Sequence, residues 1–116
     1  MKPTAKETFD AFRTSMLAKT DDWMHMVAED IQLTGPLAQI EGKEQFIAIN
    51  KPFFSGIVDS QLREIIVSGN YVITQVAIQL ATPTGNTIEL EVSEWYEIQN
   101  GLLQSLRVYF DPSPLK

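Results

Sequence analysis

Few side chains in this 116-residue sequence are placed to do chemistry, and Glu94 comes first among them. Along 88–98, Ile88, Leu90, Val92, Tyr96 and Ile98 fall on one face of a strand, and Glu94 breaks that row. A carboxyl amid Val92, Tyr96 and Val108 has its charged form penalised, which raises its pKa unless a partner offsets the burial. Such a group can act as general acid, general base or hydrogen-bond donor. The plainer alternative is a carboxylate that reaches the rim or is structurally paired. Gln75 and Gln79 share a strand face with Ala77, and their amides can orient a carbonyl or hydroxyl. Solvent-facing glutamines would look the same in sequence. His25, the single histidine, has Asp21 and Glu29 four residues to either side. It belongs either to a solvated helix face or to a pocket mouth as a catalytic imidazole.

Composition narrows the chemistry further. Without cysteine there are no disulfides, thiol nucleophiles or cysteine zinc sites. One histidine with scattered carboxylates has no metal-ligand spacing, so no metal is expected. No phosphate loop, Gly-x-Ser-x-Gly elbow or dinucleotide fingerprint occurs, and no cofactor is expected. Nine basic residues against fifteen acidic ones give a net charge of −6, which argues against nucleic acid as a partner. No apolar run approaches the roughly 18 residues of a membrane span, and MKPTAKETF is unlike a signal peptide. The expectation is one cytoplasmic domain over 1–116 that does not engage a membrane.

These residues need elements to hold them. Thr4-Ala5-Lys6-Glu7 reads as a capping box, and Ala5, Phe9, Phe12 and Met16 recur at helical spacing, which predicts a helix over 4–19. Thr20-Asp21-Asp22 caps a second, with Trp23, Met26 and Val27 on one face, over 21–28. Ile31 and Leu33 alternate with polar neighbours as a short strand that Gly35-Pro36 ends. Gly42 opens a third helix over 43–56, which Pro52 should end or kink near Lys51. From Asp59 to Asp111 the texture is β: strands at 61–68, 71–81, 87–98 and 103–110 are separated by Ser68-Gly69-Asn70, Thr82-Pro83-Thr84-Gly85 and Asn100-Gly101. Short connections imply an antiparallel meander, and helices before sheet imply an α+β fold.

The last hairpin decides where Glu94 points. A plain two-residue turn at Asn100-Gly101 would pair Glu94 with Arg107 and put the two apolar rows on opposite faces. A three-residue loop with Gly101 in a bulge pairs Gln99 with Leu103. That register sets Glu94 beside Val108 on the apolar face and Trp95 opposite Arg107 on the other.

The order of elements, with AEDIQLTGP, IEGKEQFI and YEIQNGLLQSLRVYFD, resembles the nuclear transport factor 2-like superfamily and, within it, the SnoaL-like, polyketide-cyclase-like small proteins. The resemblance implies a cystatin-like cone: a curved antiparallel sheet wrapped around N-terminal helices, enclosing a pocket, with the outer sheet face making a homodimer. Family chemistry carries over poorly. By similarity to ketosteroid isomerases, the general-base Asp falls on Gly35, the oxyanion Tyr at or beside Phe12, and the protonated Asp on Glu94. By similarity to limonene epoxide hydrolases, the catalytic Arg and two Asp fall on Gln75, Ala77 and Val108. That comparison also implies that Gln75, Leu90, Val92, Leu106 and Val108 face the pocket.

The resulting expectation is a pocket for a small apolar or aromatic molecule. Glu94 would be its catalytic group, and Phe12, Trp23, Gln75, Gln79, Leu90, Val92, Tyr96, Leu106, Val108 and Phe110 its lining. An enzyme built this way would perform cofactor-free proton transfer, as an isomerase, dehydratase or cyclase does. The alternative is a non-catalytic dimeric module of the same fold. If Gln75 and Gln79 face the pocket, Val72, Thr74, Val76, Ile78 and Leu80 face outward with Trp95 and Tyr109, rimmed by Glu89, Glu91, Glu97 and Arg107. Such a patch would mark a two-fold dimer interface. The opposite assignment has Val72, Val76 and Ile78 inside and the glutamines in solvent.

Overall fold

A computed structural model describes residues 2–115. Helix α1 (Ala5–Ala18) starts on the expected capping box: the Glu7 amide donates to Thr4 Oγ1 at 3.1 Å, and the Thr4 amide to Glu7 Oε1 at 2.9 Å. It stops at Lys19, whose left-handed backbone (φ 62°) turns the chain back. The segment expected as a helix over 21–28 is a short 3-10 helix, Asp22–Met26. It ends early because Val27 and Ala28 already belong to strand β1 (Val27–Thr34). A brief β2 (Gln39–Glu41), which the periodicity does not reveal, folds back on β1. Helix α2 (Lys43–Ser55) keeps to the expected span of 43–56, running through Pro52 without ending near Lys51. Proline forfeits only its own bond to the turn before it, and the last turn still closes, with the Gly56 amide donating to the Pro52 and Phe53 carbonyls at 3.2 and 3.1 Å.

Strands β3 (Ile57–Ser68), β4 (Tyr71–Ala81), β5 (Thr87–Gln99) and β6 (Leu102–Tyr109) form the antiparallel meander. The six strands run β2-β1-β6-β5-β4-β3 in one curved, open sheet. It is mixed, because β1 lies parallel to β6. A strand arriving from before the meander pairs with the edge that the meander leaves free.

Asn100 and Gly101 both take positive φ (54° and 77°), and Gln99 pairs directly with Leu102. The Asn-Gly pair therefore makes the tight turn its conformational freedom favours. The extra residue expected at Gly101 is taken up instead beyond the turn, where the pairing skips Gln104 between Ile98–Leu103 and Glu97–Ser105. The consequence for Glu94 is unchanged. It pairs with Val108, and Trp95 pairs with Arg107.

One face assignment is reversed. Val72, Thr74, Val76, Ile78 and Leu80 are buried on the inner face of β4, opposite Tyr96, Glu94, Val92, Leu90 and Ile88 of β5. Gln75 and Gln79 are on the outer face. Gln75 accepts from Ser93 Oγ at 2.5 Å and donates to Glu91 at 3.4 Å, while Gln79 is exposed opposite Glu89. Burying an apolar row outweighs any benefit from turning two amides inward.

The inner face closes on α1 and α2 through aromatic rings. Phe12, 1% exposed, meets Trp23, Phe54 and Tyr96 edge-on at 5.9, 6.0 and 6.2 Å. No helix among the described residues is long and apolar enough to cross a membrane. Phe12→Ala should destabilise the fold by about 3–5 kcal/mol in urea unfolding, the range for truncating a buried aromatic.

Candidate functional site

Between α1, α2 and the inner sheet face lies a cavity of about 270 Å³. Its wall is mostly apolar, with Val76 and Ile78 from β4, Leu90 and Val92 from β5, and Leu106 and Val108 from β6. Phe53, Phe110 and Leu115 border it as well.

Glu94 lines this cavity, and its partial exposure opens into it. The carboxyl has one well-formed hydrogen bond, from Thr74 Oγ1 to Oε1 at 2.8 Å. Loss of solvent raises its pKa above the ordinary 4.5. The Thr74 hydroxyl, the nearby Tyr96 hydroxyl and the Arg13 charge each act in the opposite direction. Burial and the adjacent Glu94 charge push the Tyr96 phenol well above its usual value. That phenol therefore remains a proton-bearing donor at neutral pH.

Arg13 is the polar group that the sequence reading passed over. It projects from α1 into the cavity wall and is anchored across it, donating from Nη1 to Ser60 Oγ at 3.1 Å and from Nη2 to the Ser60 carbonyl at 3.0 Å. Its signal was present. Phe9, Phe12, Arg13 and Met16 are spaced i, i+3, i+4, i+7, so Arg13 interrupts an apolar helical face as Glu94 interrupts an apolar strand face. Thr74 interrupts the β4 row in the same way. The three interruptions converge on one site.

Of the expected lining, Phe12, Leu90, Val92, Tyr96, Leu106, Val108 and Phe110 border the cavity together with Glu94. Trp23 does not: it is packed beneath Phe54 at 5.0 Å, within the core. Gln75 and Gln79 are on the opposite face of the sheet. His25 is exposed in the 3-10 helix and is not part of the cavity wall. Gly35 does border the cavity, and a Cβ there would approach Val108 Cγ2 to 2.7 Å. The position at which the isomerase resemblance would place a base is thus closed to a side chain by its neighbour. Gln75 and Ala77 precede the gap-free stretch of the epoxide-hydrolase resemblance, and a one-residue slip before that stretch turns inward positions outward.

With this geometry in place, comparison with known proteins becomes informative. Residues 5–106 match the SnoaL-like domain, and the chain belongs to that family. No curated protein matches the sequence. Several solved structures share its fold. A candidate SnoaL-like polyketide cyclase from Jannaschia sp. CCS1 is 17% identical with a TM-score of 0.80, covering 98% of this chain and 90% of its own. A candidate isomerase from Bacillus subtilis is 22% identical with a TM-score of 0.80, covering 94% and 87%. An LEH-like epoxide hydrolase from M. tuberculosis is 17% identical with a TM-score of 0.80, covering 94% and 84%. At these identities the similarity establishes the nuclear transport factor 2-like fold and no particular chemistry.

A carboxyl with a raised pKa favours the folded state while it is protonated. Its contribution is complete below about pH 4.5 and is lost as pH climbs through the raised value. Glu94→Gln should therefore gain stability over the parent as pH rises towards neutrality. Subtracting the two profiles, measured by urea unfolding from pH 4 to 8, removes the contributions of the other carboxyls. A flat difference would show that Glu94 is not perturbed.

Proposed function

We propose that the protein binds a small apolar or aromatic molecule in this cavity and, with Glu94, catalyses cofactor-free proton transfer upon it. The observation that carries the reading is a carboxyl with raised pKa facing a mostly apolar cavity, beside a phenol that stays protonated. The volume of about 270 Å³ is just under the range of roughly 300–1,000 Å³ common for drug-sized ligands, so the occupant is small. As carboxylate, Glu94 takes a proton from the carbon beside a carbonyl. The electron pair moves into the carbonyl, and the oxygen that becomes negative is met by the Tyr96 hydroxyl. Where a carbon–carbon double bond adjoins the deprotonated carbon, return of the proton from Glu94 to the far end of that double bond shifts it, completes an isomerisation and regenerates the base. The acidic, cysteine-free composition suits a cytoplasmic setting.

The outer sheet face supports a homodimer that keeps Trp95 and Tyr109 of the expected patch, with Ile66, Tyr71 and Ile73 in place of the buried β4 row. Ile66, Tyr71, Trp95 and Tyr109 are exposed there, 57%, 40%, 37% and 51% respectively, with Ile73 paired to both Ile66 and Trp95. Arg107 stacks over the Trp95 ring at 4.9 Å. An apolar patch across adjacent strands is the kind of surface a two-fold partner covers.

Two measurements test these readings. In D2O the protein should accelerate exchange of the protons beside the phenylacetone carbonyl, followed by proton NMR. Glu94→Gln should lower that rate by about 10²–10⁴-fold. A rate equal to buffer would remove the catalytic reading and leave the non-catalytic binding module. Light scattering at micromolar concentration should give about twice the 13.1 kDa chain mass, and Ile73→Glu should halve it. A parent mass of one chain would remove the dimer.

A further inference from the structure

The cavity wall holds a cation, Arg13, that makes no ion pair with the described residues. Among the described residues, no carboxylate oxygen lies within 4.0 Å of Arg13. Its anchors are the two neutral oxygens of Ser60, which engage two of the five N–H groups a guanidinium carries. The other two arginines contrast with it. Arg63 is on the outer surface against Glu89 and Glu91, at 3.8 and 3.0 Å, and Arg107 stacks on Trp95.

Arg13 is half-buried, so its guanidinium has lost part of its hydration without gaining a paired counter-ion, and an anion delivered by a ligand would offset that loss. Glu94 is a poor substitute. It acts on Arg13 from a distance, and its own hydrogen bond is with Thr74. The Ser60 contacts hold the guanidinium in one orientation, so the fork is set before a ligand arrives and loses little freedom on binding. The stretch of wall from Val76 and Ile78 to Leu90 and Val92 suits a hydrocarbon or aromatic body.

We infer that the ligand is a small carboxylic acid with an apolar or aromatic body, bound as the anion with its carboxylate on Arg13. The inference rests on the cavity reading above and adds a class of ligand to it. A carboxylate matches the planar guanidinium fork and makes charge-assisted hydrogen bonds, about twice as strong as neutral ones. With the acid group at the α1 wall, the apolar body lies along the inner sheet face where Glu94 opens. Arg13 is then a specificity-determining residue: it selects the acid over the matching alcohol or amine.

The test compares 3-phenylpropanoate, 3-phenylpropan-1-ol and 3-phenylpropylamine by titration calorimetry at pH 7. NMR shifts of the Val76, Leu90 and Val92 amides report whether each occupies the cavity. The acid should bind about tenfold more tightly than the alcohol, and the amine least of all. Arg13→Gln should bring the acid and alcohol affinities together, Arg13→Lys should retain part of the preference, and the outer-face control Arg63→Gln should retain all of it. Thermal unfolding confirms that each variant is folded. Alcohol binding as tight as the acid, or an undiminished preference in Arg13→Gln, overturns the inference while leaving the cavity reading intact. If none of the probes moves the cavity amides, both fall.

Discussion

A carboxyl on the apolar face of β5 cannot be solvated as it would be at the surface, and much of the site is arranged around that constraint. Glu94 pairs with Thr74 on one side and Val108 on the other, so β4 supplies a hydroxyl that reaches it and β6 an apolar neighbour. One hydrogen bond at 2.8 Å moderates the desolvation without cancelling it. A buried acid with more partners would be a stable ion pair of little chemical use. One with none would be a severe burden on the fold. Glu94 lies between these extremes, where a change of protonation state is accessible.

The cavity is what makes that poise useful. Phe9, Phe12, Trp23, Phe46, Phe54 and Tyr96 pack densely at one end, through edge-on contacts of 5.0 to 6.4 Å. Their rigidity fixes α1 against the sheet and so fixes Arg13 relative to Ser60 on β3. Tyr96 belongs to both regions, with its ring in the knot and its hydroxyl towards Glu94. Stability and site geometry are therefore coupled through this residue. A change that loosens the knot also misplaces the phenol.

Much of this was legible in the sequence, for identifiable reasons. The Thr4–Glu7 box, the strand alternation and the turn residues are local signals, and the elements they predict are present. The Glu94–Val108 pairing was reached from the requirement that two apolar rows share a face, even though the accommodating bulge lies at Gln104 and not Gly101. The β1–β6 pairing and the short β2 are non-local, and no spacing within either segment announces them. On β4 the plain rule that an apolar row goes inward holds, and the distant resemblance that implies Gln75 faces inward does not. Arg13 was missed for the opposite reason. The spacing of Phe9, Phe12 and Met16 announces the apolar helical face, and Arg13 stands within it. A polar residue within an apolar row marked Glu94, Thr74 and Arg13 alike.

The central claim is that Glu94 is desolvated by the cavity and only partly relieved by Thr74. A carbon-detected NMR titration of the Glu94 side-chain carboxyl reads this directly, in the parent and in Thr74→Val. The account predicts a parent midpoint above 4.5 that moves higher when the Thr74 hydroxyl is removed. A parent midpoint at or below 4.5, unmoved by Thr74→Val, would contradict it.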